Sequence, residues 1–153
     1  MRSMAATRRL SFSVAFLSAV GWAGQAYAQL GVGTWVRTDE HAKGLTMTVE
    51  ACCKGGRRLI YHLAMAGQPP ATMTVDSPMD GTEVPALLDG KPSGTTMAIK
   101  RVDDRHTSTV VKMGGKPFGT SNGTLSPDGK TLTVESVTLG GKPEKIIETW
   151  VRK

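Results

Sequence analysis

The chain has 153 residues, 39% of them hydrophobic and 21% charged, with a formal net charge of +6. That length suits one ordinary domain, since domains run to roughly 100–200 residues. Three of the 19 basic residues fall before position 29, leaving 16 against 13 acids, and only four aromatics follow (Trp35, Tyr61, Phe118 and Trp150); so slight a positive excess excludes the basic, base-stacking surface that nucleic acid binding demands.

Arg2, Arg8 and Arg9 precede a run from Leu10 to Ala23 that is apolar or small, and Ala26-Tyr27-Ala28 follows. A positive segment, an apolar segment and a small-x-small site predict a cleavable signal peptide over 1–28. Gln29 then starts the mature protein, which is expected to be periplasmic or secreted. The apolar run falls short of the about 20 residues of a spanning helix, so no membrane span is expected after cleavage. Arg8-Arg9 fits the twin-arginine signal only in part, which leaves the general secretory route as the default.

Residues 29–153 predict a single β domain. Leu45, Met47, Val49 and Ala51 alternate with Thr46, Thr48 and Glu50, the period-two pattern of a strand with one buried face. Leu59, Tyr61, Leu63 and Met65 form the next such face, then Ala71, Met73 and Val75. Met97 with Ile99, and Val111 with Met113, continue it more weakly. Leu132 and Val134 share a face, after which the apolar set shifts to Val137 and Leu139, predicting a bulge or corner near Glu135-Ser136. Turn dipeptides punctuate the chain at Gly55-Gly56, Asp80-Gly81, Asp89-Gly90, Gly114-Gly115, Asn122-Gly123, Asp128-Gly129 and Gly140-Gly141. Gly-Lys-Pro recurs at 90–92, 115–117 and 141–143 as repeated turn chemistry. About eight to ten strands must hide their edges, and closure into an antiparallel up-and-down barrel does so outright, a β-sandwich being the alternative.

Five phrases carry a resemblance: Gly33-Thr34-Trp35, Asp80 to Pro85, Ala98 to Arg105, Ser126 to Val134, and Glu148 to Lys153. Through them the chain resembles a group of short exported bacterial proteins with a lipocalin-like β-barrel. The resemblance implies that Trp35, in Gly-x-Trp on the first strand, plugs one barrel end while Arg152 on the last strand stacks across it. The plainer reading makes Trp35 a core aromatic and Arg152 a solvated terminal charge. The segment from Glu50 to Pro70, with Cys52-Cys53, departs from the group's pattern.

In an oxidising compartment the adjacent Cys52 and Cys53 are expected to pair with each other, ahead of intermolecular bridging or a soft-metal site. The six methionines after residue 28 include Met47, Met73, Met97 and Met113 at apolar strand positions, where core filling is the simpler account and an adaptable apolar cavity the alternative. Met47, Val49, Tyr61, Leu63, Met73, Met97 and Met113 are the candidate lining of such a cavity. Gly119-Thr120-Ser121-Asn122-Gly123 matches G-x-S-x-G, but no strand–turn–helix surrounds it. No catalytic residue, metal site or cofactor is expected. The sequence points to an exported, non-enzymatic barrel holding a small apolar or amphipathic ligand; the alternative is an envelope structural or interaction module working through its loops and Cys52-Cys53.

Overall fold

Ten strands follow one another, each joined to the next by a hairpin: β1 (Gly33–Arg37), β2 (Thr46–Cys52), β3 (Gly56–Leu63), β4 (Ala71–Ser77), β5 (Asp80–Leu88), β6 (Lys91–Arg101), β7 (His106–Met113), β8 (Lys116–Leu125), β9 (Thr131–Thr138) and β10 (Lys145–Arg152). The computed structural model describes residues 31–64 and 66–153. The leader assigned to 1–28 lies outside the described residues, as does Met65.

Neighbouring strands pair antiparallel all the way round, and β1 pairs with β10 to close the barrel. The up-and-down, lipocalin-like barrel is thus the architecture formed, and the sandwich is not. Closure leaves no free edge, which is the liability of any open sheet. No helix occurs among the described residues, so none there is long and apolar enough to cross a membrane.

Alternating topology gives the barrel two unlike ends. One, the floor, carries the connections after β2, β4, β6 and β8, with the start of β1 and the end of β10. The floor half is packed solid by Trp35, Val49, Val75, Ala86, Leu125 and their neighbours. The other end carries the connections after β1, β3, β5, β7 and β9, and all three Gly-Lys-Pro phrases fall there.

Three local expectations are corrected. Strand β9 keeps one unbroken register with both β8 and β10, so no bulge occurs at Glu135-Ser136. The inward row simply continues from Leu132 and Val134 to Ser136, which lines an internal cavity, while Leu139 is exposed. A polar residue facing a cavity imitates a phase slip. The register shifts fall instead in β5 on either side of Glu83–Pro85 and where β7 meets Pro117 of β8; the two that adjoin a proline follow from its lack of an N–H for the ladder.

Asn122-Gly123 is not a turn but lies inside β8. A Cβ on Gly123 would stand 2.5 Å from the Thr107 hydroxyl, so this glycine serves close cross-strand approach. Asp80-Gly81 likewise opens β5, and the preceding turn is made at Pro78-Met79, with Met79 at φ 63°.

Candidate functional site: the barrel cavity

Above the floor the barrel holds a partly open cavity of about 230 Å³. Its wall is mainly apolar: Met47 of β2, Leu59 of β3, Met73 of β4, Met97 and Ile99 of β6, Val111 of β7, and Leu132 and Val134 of β9. Each is an inward position of an alternating strand, which is how period two converts sequence into a lined interior. Polar groups interrupt the wall at Tyr61, Thr107, Thr109, Ser121, Ser136 and Glu148, and Trp150 completes it.

Of the candidate lining residues, the structure brings Met47, Tyr61, Met73 and Met97 together. Val49 is wholly buried in the floor, below the cavity. Leu63 lies at the open end, in a surface groove shared with His41, Lys43 and Leu45. Met113, the last residue of β7, is 49% exposed beyond the cavity. The alternation carries no information on height along the barrel, and height separates floor, cavity and rim.

The polar side of the site is built by β1 and β10. Arg37 is buried and grips Asp39 through Nε–Oδ2 at 2.6 Å and Nη2–Oδ1 at 3.1 Å. Its Nη1 lies 3.4 Å from Glu148 Oε1. The guanidinium also sits over the Trp150 ring, 5.9 Å from its centroid, and Trp150 Nε1 donates to Glu148 Oε2 at 3.1 Å. Tyr61 meets Trp150 edge-on, with centroids 6.2 Å apart. Burial pushes the Tyr61 phenol well above its ordinary range, and the Glu148 charge adds to this. The phenol therefore stays neutral at physiological pH.

The Arg37 hydrogen bond, helped by the backbone N–H groups of Thr149 and His41, lowers Asp39 from 3.8 to about 2. A carboxylate depressed on folding stabilises the fold above its unfolded pKa, and that stability is lost as pH falls through the folded value. At 1.36 kcal/mol per pKa unit, about 2 kcal/mol is expected to disappear between about pH 4 and pH 2. Urea denaturation of the native chain and of Asp39→Asn across that range checks this; parallel pH curves for the two would refute it.

The resemblance implied a stacked Trp35–Arg152 pair, and the structure arranges these residues differently. Trp35 and Arg152 are register partners across the β1–β10 seam. Arg152 Nη2, however, donates to the Val32 carbonyl at 2.6 Å, while Trp35 Nε1 donates to Gly31 O at 3.0 Å. Among the described residues the cation over an indole is Arg37 on Trp150, the register pair two residues further along the same seam. Arg37 prevails because Asp39 and Glu148 hold its guanidinium in place.

Cys52 and Cys53 are joined to each other at the floor-end turn between β2 and β3. The Asp76 carboxylate lies within 4.8 Å of their sulfurs, but it is gripped by Arg58 at 2.7 and 2.8 Å. With the sulfurs bonded to one another, no thiolate is available to a metal there. Ser121 of the G-x-S-x-G string lines the cavity, and among the described residues no histidine does.

A closed β-barrel with a mainly apolar interior that polar side chains interrupt is the class that fold and cavity together define. The structure is similar to a variant of the fluorescent protein UnaG, with a TM-score of 0.57 and 12% sequence identity over 81% of this chain and 96% of that one. At that identity the likeness shows the fold alone. No family model and no curated protein matches the chain in sequence.

Proposed function

We propose that the protein is an exported, non-enzymatic carrier or sensor that holds one small apolar or amphipathic molecule inside its barrel. The observation that carries this reading is the cavity of about 230 Å³ with its mainly apolar wall interrupted by polar side chains. Ligand sites are built this way, with apolar lining for affinity and isolated polar groups for orientation. The volume falls between the ~150 Å³ that admits benzene and the roughly 300–1,000 Å³ of drug-sized pockets. A single ring or a short chain fits. Export rests on the leader pattern of residues 1–28. The non-enzymatic reading is supported by Ser121, whose hydroxyl has neither a histidine beside it on the cavity wall nor a strained turn beneath it.

Native mass spectrometry of the purified chain, incubated with decanol, tests the reading directly. A one-to-one complex is expected. Met97→Trp, which fills the cavity from β6, is expected to weaken that complex at least tenfold while the β-sheet circular dichroism is retained. Unchanged decanol binding in the filled variant would place the site elsewhere and end the proposal.

A further inference from the structure

The polar groups of the cavity are unevenly matched in charge. Among the described residues, no lysine, arginine or histidine lines it, and Glu148 is its one carboxylate. Behind Glu148 stand two charges that largely satisfy each other. Arg37 spends Nε and Nη2 on Asp39, in a fork-to-carboxylate grip, the strongest form of such a pair. Glu148 receives only Nη1, at 3.4 Å. The trio of Arg37, Asp39 and Glu148 thus carries one net negative charge, and the carboxylate sharing least in the cation is the one facing the cavity.

The remaining polar atoms are uncommitted. The hydroxyls of Tyr61, Thr109, Ser121 and Ser136 have no hydrogen-bond partner among the described residues and are not sealed from the cavity space. A hydroxyl can accept or donate, so these groups tolerate many ligand heads. Glu148 does not. It only accepts, and a ligand carboxylate beside it would set two like charges in a wall of low polarity.

Resting on the cavity reading above, we infer that the ligand is a small amphiphile with a cationic or hydrogen-bond-donating head, an amine foremost, and that carboxylate ligands such as fatty acids are rejected. The head sits at Glu148 and Tyr61, and the apolar part lies along Met47, Met73 and Met97. The selectivity is therefore written in one side chain of β10 and in the unequal sharing of one arginine.

Three probes of equal chain length separate the possibilities: decylamine, decanol and decanoate, titrated below their aggregation limits and followed by intrinsic tryptophan fluorescence. The amine is expected to bind at least tenfold more tightly than decanoate, with decanol between them. Glu148→Gln, whose amide oxygen can still accept from Trp150 Nε1, is expected to erase the amine's advantage over decanol. Asp39→Asn leaves Glu148 in place but frees Arg37 to neutralise it, and is expected to shrink the same ratio. Decanoate binding as tightly as decylamine in the native chain overturns this inference while leaving the cavity reading intact, because a ligand has then entered. Failure of all three probes to bind overturns both.

Discussion

Replacing Trp35 by alanine is expected to remove about 3–5 kcal/mol of folding stability, the range for truncating a large aromatic in a core. Small proteins have only about 5–15 kcal/mol in total, so this one change would bring the barrel close to unfolding. Trp35 has 0% of its surface exposed, and its register partners are Met47 on β2 and Arg152 on β10. It therefore fills the floor at the point where the ring of strands closes. Its Nε1–Gly31 hydrogen bond accounts for the smaller share, since such bonds net about 0.5–1.5 kcal/mol. Trp35→Phe separates the two contributions: it keeps most of the bulk and is expected to lose about 1 kcal/mol. Urea midpoints at constant slope measure both. A loss below about 1 kcal/mol for the alanine variant would mean that the floor rests on other residues.

Gly56→Ala is expected to be comparably damaging for the opposite reason, overfilling. A Cβ at Gly56 would stand 2.1 Å from the Ser77 carbonyl oxygen and 2.8 Å from Pro78 Cα. Both are backbone atoms, so no side chain can swing aside, and β3 and β4 would have to part where Arg57 pairs with Ser77. Overpacking commonly costs about 1–3 kcal/mol when side chains can shift; here the upper end or beyond is expected. The adjacent glycine supplies the control. Gly55 has nothing within 4 Å of its would-be Cβ but lies at φ +95°, so alanine there meets only backbone strain of about 1–2 kcal/mol. Chemical denaturation of the two variants side by side decides the matter, and a Gly55→Ala loss exceeding that of Gly56→Ala would contradict the steric account.

What the sequence made legible follows from what period two encodes. Strands β2 and β4 alternate Thr with Met, Val or Ala over much of their length, and Met47 and Met73 from these rows, with Leu59 and Tyr61 of β3, line the cavity. Strand β8 bears Gly119, Thr120, Ser121, Asn122 and Gly123, small and polar on both faces, so it shows no apolar row and its Asn122-Gly123 pair reads as a turn. The same blindness affected the site. Met47, Met73 and Met97 advertise an interior, whereas Ser121, Ser136 and Thr109 resemble outward residues although they face the cavity. Glu148 was visible only as part of a terminal phrase. A carboxylate among apolar neighbours in the run Ile146, Glu148, Trp150 was the signal that could have found it. Floor and cavity separate only when register fixes height, and register is not a local property of any strand.

The β1–β10 seam has a consequence for how the molecule comes into being. Thr34 accepts a hydrogen bond from the N–H of Lys153 at 2.9 Å, so residues near opposite ends of the barrel sequence are bonded neighbours. A ribosome supplies β10 after the other nine strands. Until then any sheet already assembled has two raw edges, and an unpaired edge is a template for pairing with another chain. Such distant contacts are also slow to form, because the loop between them must be ordered first. The ring can be sealed only after synthesis has passed its last strand, and until that moment the protein has most to gain from being kept apart from its own copies.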